Sequence, residues 1–114
     1  MGKIIGIHQI ELKPGVSPEE FERFLREEWR APTPFAGWKV SVTRGDRGEG
    51  SGKYAVIIEI ESVAARDRYV PVPGQPSEEA RRANTDRQAL GEQWARYASP
   101  AGGPPYTDWV VIAE

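Results

Sequence analysis

His8 is the only histidine among the 114 residues, so any mechanism that moves a proton through an imidazole near neutral pH must use it. It lies in the run KIIGIHQIEL from Lys3 to Leu12. Strand alternation there puts Ile4, Gly6, His8, Ile10 and Leu12 on one face and Ile5, Ile7, Gln9 and Glu11 on the other. Leu12 leads toward the first helix, which places the His8 face beneath the helices and makes His8 a hydrogen-bonded core residue. With the faces exchanged, His8 becomes the leading general base. Tyr54 is the second catalytic candidate, because a tyrosine hydroxyl in an apolar cavity can orient a polyaromatic or quinone-like ligand.

The binding candidates are aromatic or cationic. Four tryptophans and four tyrosines are enough to line an apolar cavity, and Trp29, Trp38, Trp94 and Tyr97 join Tyr54 and Trp109 as lining candidates. Trp29 and Trp94 also fall on the apolar stripes of their helices, where core packing is the competing role. Trp38 and Tyr54, near the ends of hairpin strands, are the better cavity residues. Arg30 stands at a helix C-terminus, where a cation is favoured by the helix dipole or could meet an anion. Arg87 interrupts an apolar stripe, so it pairs with a carboxylate, snorkels past Leu90 or recognises an acidic ligand. Gln9, Glu11 and Glu59 are expected to be solvated or paired; a carboxylate in an apolar lumen would instead be a base.

Several chemistries are excluded. With no cysteine there is no disulfide, thiolate nucleophile or cysteine-ligated metal. One histidine with dispersed carboxylates makes no transition-metal site, and no cofactor is expected. No G-x-S-x-G elbow supports a serine triad. The loop GDRGEGSG has neither a P-loop lysine nor a following helix, so it cradles no phosphate. A net charge of -2 with dispersed basic residues argues against nucleic acid. No apolar run is long enough for a signal peptide or a membrane span, which leads to the expectation of a cytoplasmic protein with no membrane partner.

The elements that must position these residues begin with the Lys3–Leu12 strand. Pro14-Gly15 turns the chain, and Ser17 opens a helix as cap, with Pro18 at its first position, Glu20 closing a capping box and Val16 stapled to Phe21. Phe21, Phe24, Leu25 and Trp29 form its apolar face, and Pro32 ends it near Ala31. The runs 37–44 and 53–61, joined by the glycine-rich loop, form an antiparallel hairpin. A short helix over 62–69 is followed by a segment with Pro71, Pro73 and Pro76. Ser77 then caps a long helix to about Ala98, and 107–113 is the last strand. The order, strand, helix, strand, strand, helix, strand, predicts a single ferredoxin-like α+β domain over 1–114, a four-stranded antiparallel sheet with helices on one face. An apolar open face then needs a partner, most simply a second copy.

The Lys13-Pro14-Gly15 turn, the Ser-Pro-Glu-Glu-Phe helix start at Ser17 and the Glu-Glu-Trp-Arg-Ala-Pro run ending at Pro32 together resemble the EthD group of the dimeric α/β-barrel superfamily. The antibiotic-biosynthesis monooxygenases share that fold and opening. The resemblance extends from about Ile4 to Val63 and is topological beyond. It implies a homodimeric α/β barrel with an aromatic pocket in each subunit. If catalytic, the resemblance implies cofactor-independent oxygenation, isomerisation or another proton transfer on an aromatic or polyketide-like compound. The alternative is a non-catalytic ligand-binding or accessory homodimer, and a purely structural dimer is a third reading. EthD-like sequences carry a histidine before the Ala-Pro; here Arg30 stands there, and a guanidinium does not shuttle protons near neutrality.

Overall fold

The computed structural model of the chain describes residues 2–29, 35–85, 87–100 and 106–114. Strand β1 (Ile4–Ile10) is followed by helix α1 (Pro18–Glu27), strands β2 (Trp38–Arg44) and β3 (Tyr54–Ile60), helices α2 (Val63–Tyr69), α3 (Glu78–Thr85) and α4 (Gln88–Ala95), and strand β4 (Tyr106–Val110). The strands form one four-stranded sheet in the order β2-β3-β1-β4, with every neighbouring pair antiparallel. The chain is thus of the α+β class.

Register assigns the two faces. Ile4, Gly6, His8 and Ile10 pair with Ile60, Ile58, Val56 and Tyr54 of β3. Gly6 and His8 pair on the other side with Asp108 and Tyr106 of β4. All of these residues share the face that the helices cover, so the placement of His8 beneath the helices holds. The core on that face consists of Ile10, Phe21, Phe24, Tyr54, Val56, Trp94 and Ala98. Phe21, fully buried, packs edge-on against both Tyr54 at 5.0 Å and Trp94 at 5.4 Å between ring centroids. Such aromatic pairs contribute about 0.5–1.5 kcal/mol each beyond their buried area.

The start of α1 follows its local chemistry. Ser17 Oγ accepts from the Glu20 backbone N–H at 3.1 Å and lies 3.2 Å from Glu20 Oε1, while Val16 packs against the core. The helix ends at Glu27 rather than near Ala31, because the backbone N–H groups of Glu28 and Trp29 both turn onto the Phe24 carbonyl. Trp29 then leaves the helix and lies against Trp94, ring centroids 4.9 Å apart.

The long helix expected after Ser77 is two shorter ones. Ser77 does cap α3, accepting from the Ala80 N–H at 3.2 Å. Asn84 and Thr85 are weak helix formers whose side chains compete for backbone groups, and Thr85 Oγ1 does so by donating to the Arg81 carbonyl at 3.0 Å. Helix α2 is fixed from below by Trp38 and Tyr69: Trp38 Nε1–H donates to the Ala65 carbonyl at 3.0 Å, and Tyr69 stacks on Phe35 at 4.3 Å.

Candidate functional site

A cavity of about 260 Å³ lies between the covered sheet face, α2 and the 70–76 segment. Gly6 of β1, by having no side chain, lets two of the cavity's lining residues, Asp108 and His8, pack closely over the strand. A Cβ there would stand 2.9 Å from Asp108 Oδ1 and 3.3 Å from His8 Nε2. Trp38, Ile58, Ile60, Val70 and Pro76 supply apolar walls, and His8, Arg66, Tyr106 and Asp108 supply the polar groups.

Each polar side chain has a structural reason to be there. His8 is 7% exposed and lies parallel to the Tyr106 ring, 8° between planes and 4.8 Å between centroids, as their pairing across β1 and β4 requires. Asp108, opposite Gly6, enters the space that Gly6 leaves. Arg66 of α2 reaches it, with Nη1 3.5 Å from Asp108 Oδ2, while its Nε holds Asp67 Oδ1 at 3.1 Å. His8 Nδ1 is buried and has no hydrogen-bond partner among the described residues. A buried polar atom in that condition is uncommon.

Burial pushes the His8 pKa below its usual 6.5, opposed in part by the Asp108 carboxylate. The imidazole is therefore neutral at pH 7 and able to accept a proton. Asp108 favours the imidazolium that acceptance would create, and Arg66 holds a positive charge at the rim of the same space.

Compared with protein-family profiles, curated proteins and solved structures, the chain has no match. The site therefore rests on its own geometry.

Of the residues singled out in the sequence, His8 and Trp38 meet in this cavity. Tyr54 lies elsewhere on the same face. Its hydroxyl donates to Glu22 Oε2 at 2.6 Å, and burial together with that carboxylate pushes its pKa up to about 12. Glu22 is in turn held below the usual carboxylate range by the Tyr54 hydroxyl and by Arg44, whose Nη1 donates to both of its oxygens. Tyr54 is thus tied into a polar cluster and does not line the His8 cavity.

Trp29, Trp94 and Tyr97 belong to the aromatic core around Phe24, on which Tyr97 stacks at 4.6 Å. Trp29 also borders an open depression with Arg87, Asn84 and Gln88. Arg30 lies outside the described residues. Glu59 is on the uncovered face, bridged to Lys3 at 3.1 Å and Lys39 at 4.0 Å. Those lysines, Lys3 foremost, lower its pKa, so it is a paired carboxylate and not a base.

Asp108, Arg66, Tyr106 and Gly6 were not among the candidates read from sequence. Gly6 alone carries a local signal, since a glycine inside an apolar strand marks close approach of something else. No group of three or more histidine, aspartate or glutamate side chains among the described residues is placed to hold a metal ion, and no helix among them is long and apolar enough to cross a membrane.

Proposed function

We propose that the chain is a small-molecule enzyme of the dimeric α/β-barrel type that moves a proton on a compact, largely apolar carbonyl compound. One observation carries the reading: the sole histidine is buried, has no partner at Nδ1 among the described residues, and borders a largely apolar cavity. His8 takes a proton from the carbon next to the carbonyl, Asp108 stabilises the imidazolium, and Arg66 offsets the charge that develops on the ligand oxygen. Return of the proton at another position would be an isomerisation, the cofactor-independent chemistry that the EthD-like resemblance implies.

The volume supports a ligand of one to two rings. An apolar cavity of about 150 Å³ takes a single benzene, and this one is about 260 Å³. β-Tetralone, a bicyclic ketone with acidic α-hydrogens, is a suitable probe. In D₂O the protein should speed replacement of those hydrogens by deuterium, followed by proton NMR. No acceleration with β-tetralone or with smaller cyclic ketones would leave the non-catalytic binding reading in its place.

The barrel half of the proposal draws support from the strand order β2-β3-β1-β4, which is that of the split βαβ pattern. The uncovered face adds to it. That face carries Ile5, Ile7, Ile57 and Trp109, of which Trp109 is 59% exposed. This apolar patch, on a face that also carries the Glu59 and Lys39 pair, is expected to be buried against a second copy with the charges at its margin. Analytical ultracentrifugation should give a dimer that Trp109→Lys dissociates; a wild-type monomer at micromolar concentration would contradict the barrel.

A further inference from the structure

We infer that Tyr106 is the positioning residue of His8: its ring, laid flat against the imidazole, holds the base at the angle that proton transfer needs. The inference rests on the pocket reading above and adds to it the group that orients the base.

A histidine that serves as a base is ordinarily aimed by a hydrogen bond at its second ring nitrogen, made to a carboxylate or a backbone carbonyl. His8 has no such bond, because Nδ1 is buried without a partner among the described residues. The orientation of the ring therefore comes from packing.

Two contacts supply it. One edge of the imidazole is seated over β1 at Gly6, where a Cβ would stand 3.3 Å from Nε2 and 3.7 Å from Cδ2 and push against the ring. On one face, the Tyr106 ring lies 8° from parallel with the centroids 4.8 Å apart. A parallel stack resists tilting, since a tilt drives one edge of the imidazole into the phenol ring and opens a gap under the other. Tyr106 is fixed in turn by the antiparallel pairing of β4 with β1, in which it is the partner of His8. Both rings line the cavity, so the stack stands where a ligand meets the base.

An aromatic ring does more here than an aliphatic side chain of similar bulk. Its face attracts a cation, so Tyr106 favours the imidazolium that forms when His8 takes a proton. Asp108 follows two residues later on the same strand and the same sheet face. Strand β4 thus delivers both the orienting ring and the compensating charge. The stack is made by the ring and not by the hydroxyl, so phenylalanine should keep it and leucine should lose it.

Tyr106→Leu and Tyr106→Phe are compared in three measurements. These are the β-tetralone exchange, ligand binding followed by the amide shifts of His8, Ile58 and Asp108, and the NMR order parameter of the His8 ring. Tyr106→Leu should lose about 10²-fold in turnover, the cost of a misplaced catalytic group, while still binding β-tetralone within about threefold of wild type. Its imidazole should also loosen, to an order parameter below about 0.6 against about 0.85 for a rigid group. Tyr106→Phe, the conservative replacement, should restore the rigid ring and bring turnover back to within about threefold of wild type. If Tyr106→Leu does not fold, Tyr106→Val takes its place, since a β-branched residue suits a strand. A folded Tyr106→Leu or Tyr106→Val protein with a rigid imidazole, or with wild-type exchange, overturns the inference. So does a Tyr106→Phe protein as slow as Tyr106→Leu, because the hydroxyl and not the stack is then the working group. Wild-type protein that exchanges no deuterium overturns the enzyme reading instead, and the order parameters then decide by themselves whether Tyr106 holds the ring.

Discussion

Glutamine in place of His8 should lower the catalysed deuterium exchange of β-tetralone by about 10²–10⁴-fold, the usual contribution of a positioned general base. Glutamine keeps much of the side-chain length and polarity, so the floor of the cavity and the contact with Tyr106 are disturbed little. What it removes is the group that accepts the proton. His8 is the single histidine in the chain and Tyr54 is tied to Glu22 at 2.6 Å, so no second imidazole can substitute. Ligand binding, read from the same amide shifts, should change by less than about threefold, since catalysis and ground-state binding draw on different contacts. A His8→Gln protein that exchanges deuterium as fast as wild type would remove His8 from the mechanism.

Phe21→Ala should destabilise the fold by about 3–5 kcal/mol, the range for losing a buried phenylalanine. Phe21 is fully buried and its ring meets Tyr54 and Trp94 edge-on, so its loss opens a cavity where α1, α4 and β3 converge. For a domain of this length the loss is a large share of the whole stability, commonly about 5–15 kcal/mol. Urea unfolding followed by tryptophan fluorescence measures it, because Trp94 reports directly on the site. A loss below about 1 kcal/mol would mean that the aromatic cluster is not the centre of the core. Leu25→Ala is a useful contrast: Leu25 is only half-buried and packs at the margin of the same cluster, so it should lose less.

Local chemistry made the scaffold readable. Ser17, Pro18, Glu20 and Phe21 specify a helix start within five residues, and that start is where the structure puts it. The alternation through Ile4, Gly6, His8 and Ile10 fixed which side chains share a face, and Leu12 pointed to the side the helices cover. Boundaries were less readable. Trp29 leaves α1 and meets Trp94, far along the chain, a contact that no local pattern encodes, and a single-helix pattern over 77–98 hides the weak Asn84-Thr85 step.

The site was legible only in its separate parts. His8 and Trp38 stood out by residue type. Asp108 meets His8 because β4 pairs with β1 in one particular register, a fact of tertiary structure that no spacing within β4 encodes. Arg66 belongs to the site through the way α2 lies over the sheet, which the contacts of Trp38 with Ala65 and of Tyr69 with Phe35 determine. Tyr54 shows the converse: its position near a strand end suggested a cavity, and it does border one, of about 690 Å³ beside Gln9 and Glu11. That cavity is not the one at His8, and the Tyr54 hydroxyl is held by Glu22. Gly6 was visible as a glycine in an apolar strand, but its meaning depends on what Asp108 and His8 do above it.

The most direct test of the account is the titration of the His8 imidazole by NMR, with no other histidine in the chain to confuse the signal. Burial holds the folded pKa below the unfolded 6.5. The folded state therefore binds fewer protons than the unfolded one in that window, and its stability is complete above about pH 6.5 and falls as the pH drops through it. The account predicts a midpoint below 6.5 in the native protein, and a lower one still in Asp108→Asn, which loses the charge that partly restores it. A midpoint at or above 6.5, unmoved by Asp108→Asn, would place His8 in solvent or in an ion pair, and the neutral base in an apolar pocket would have to be abandoned.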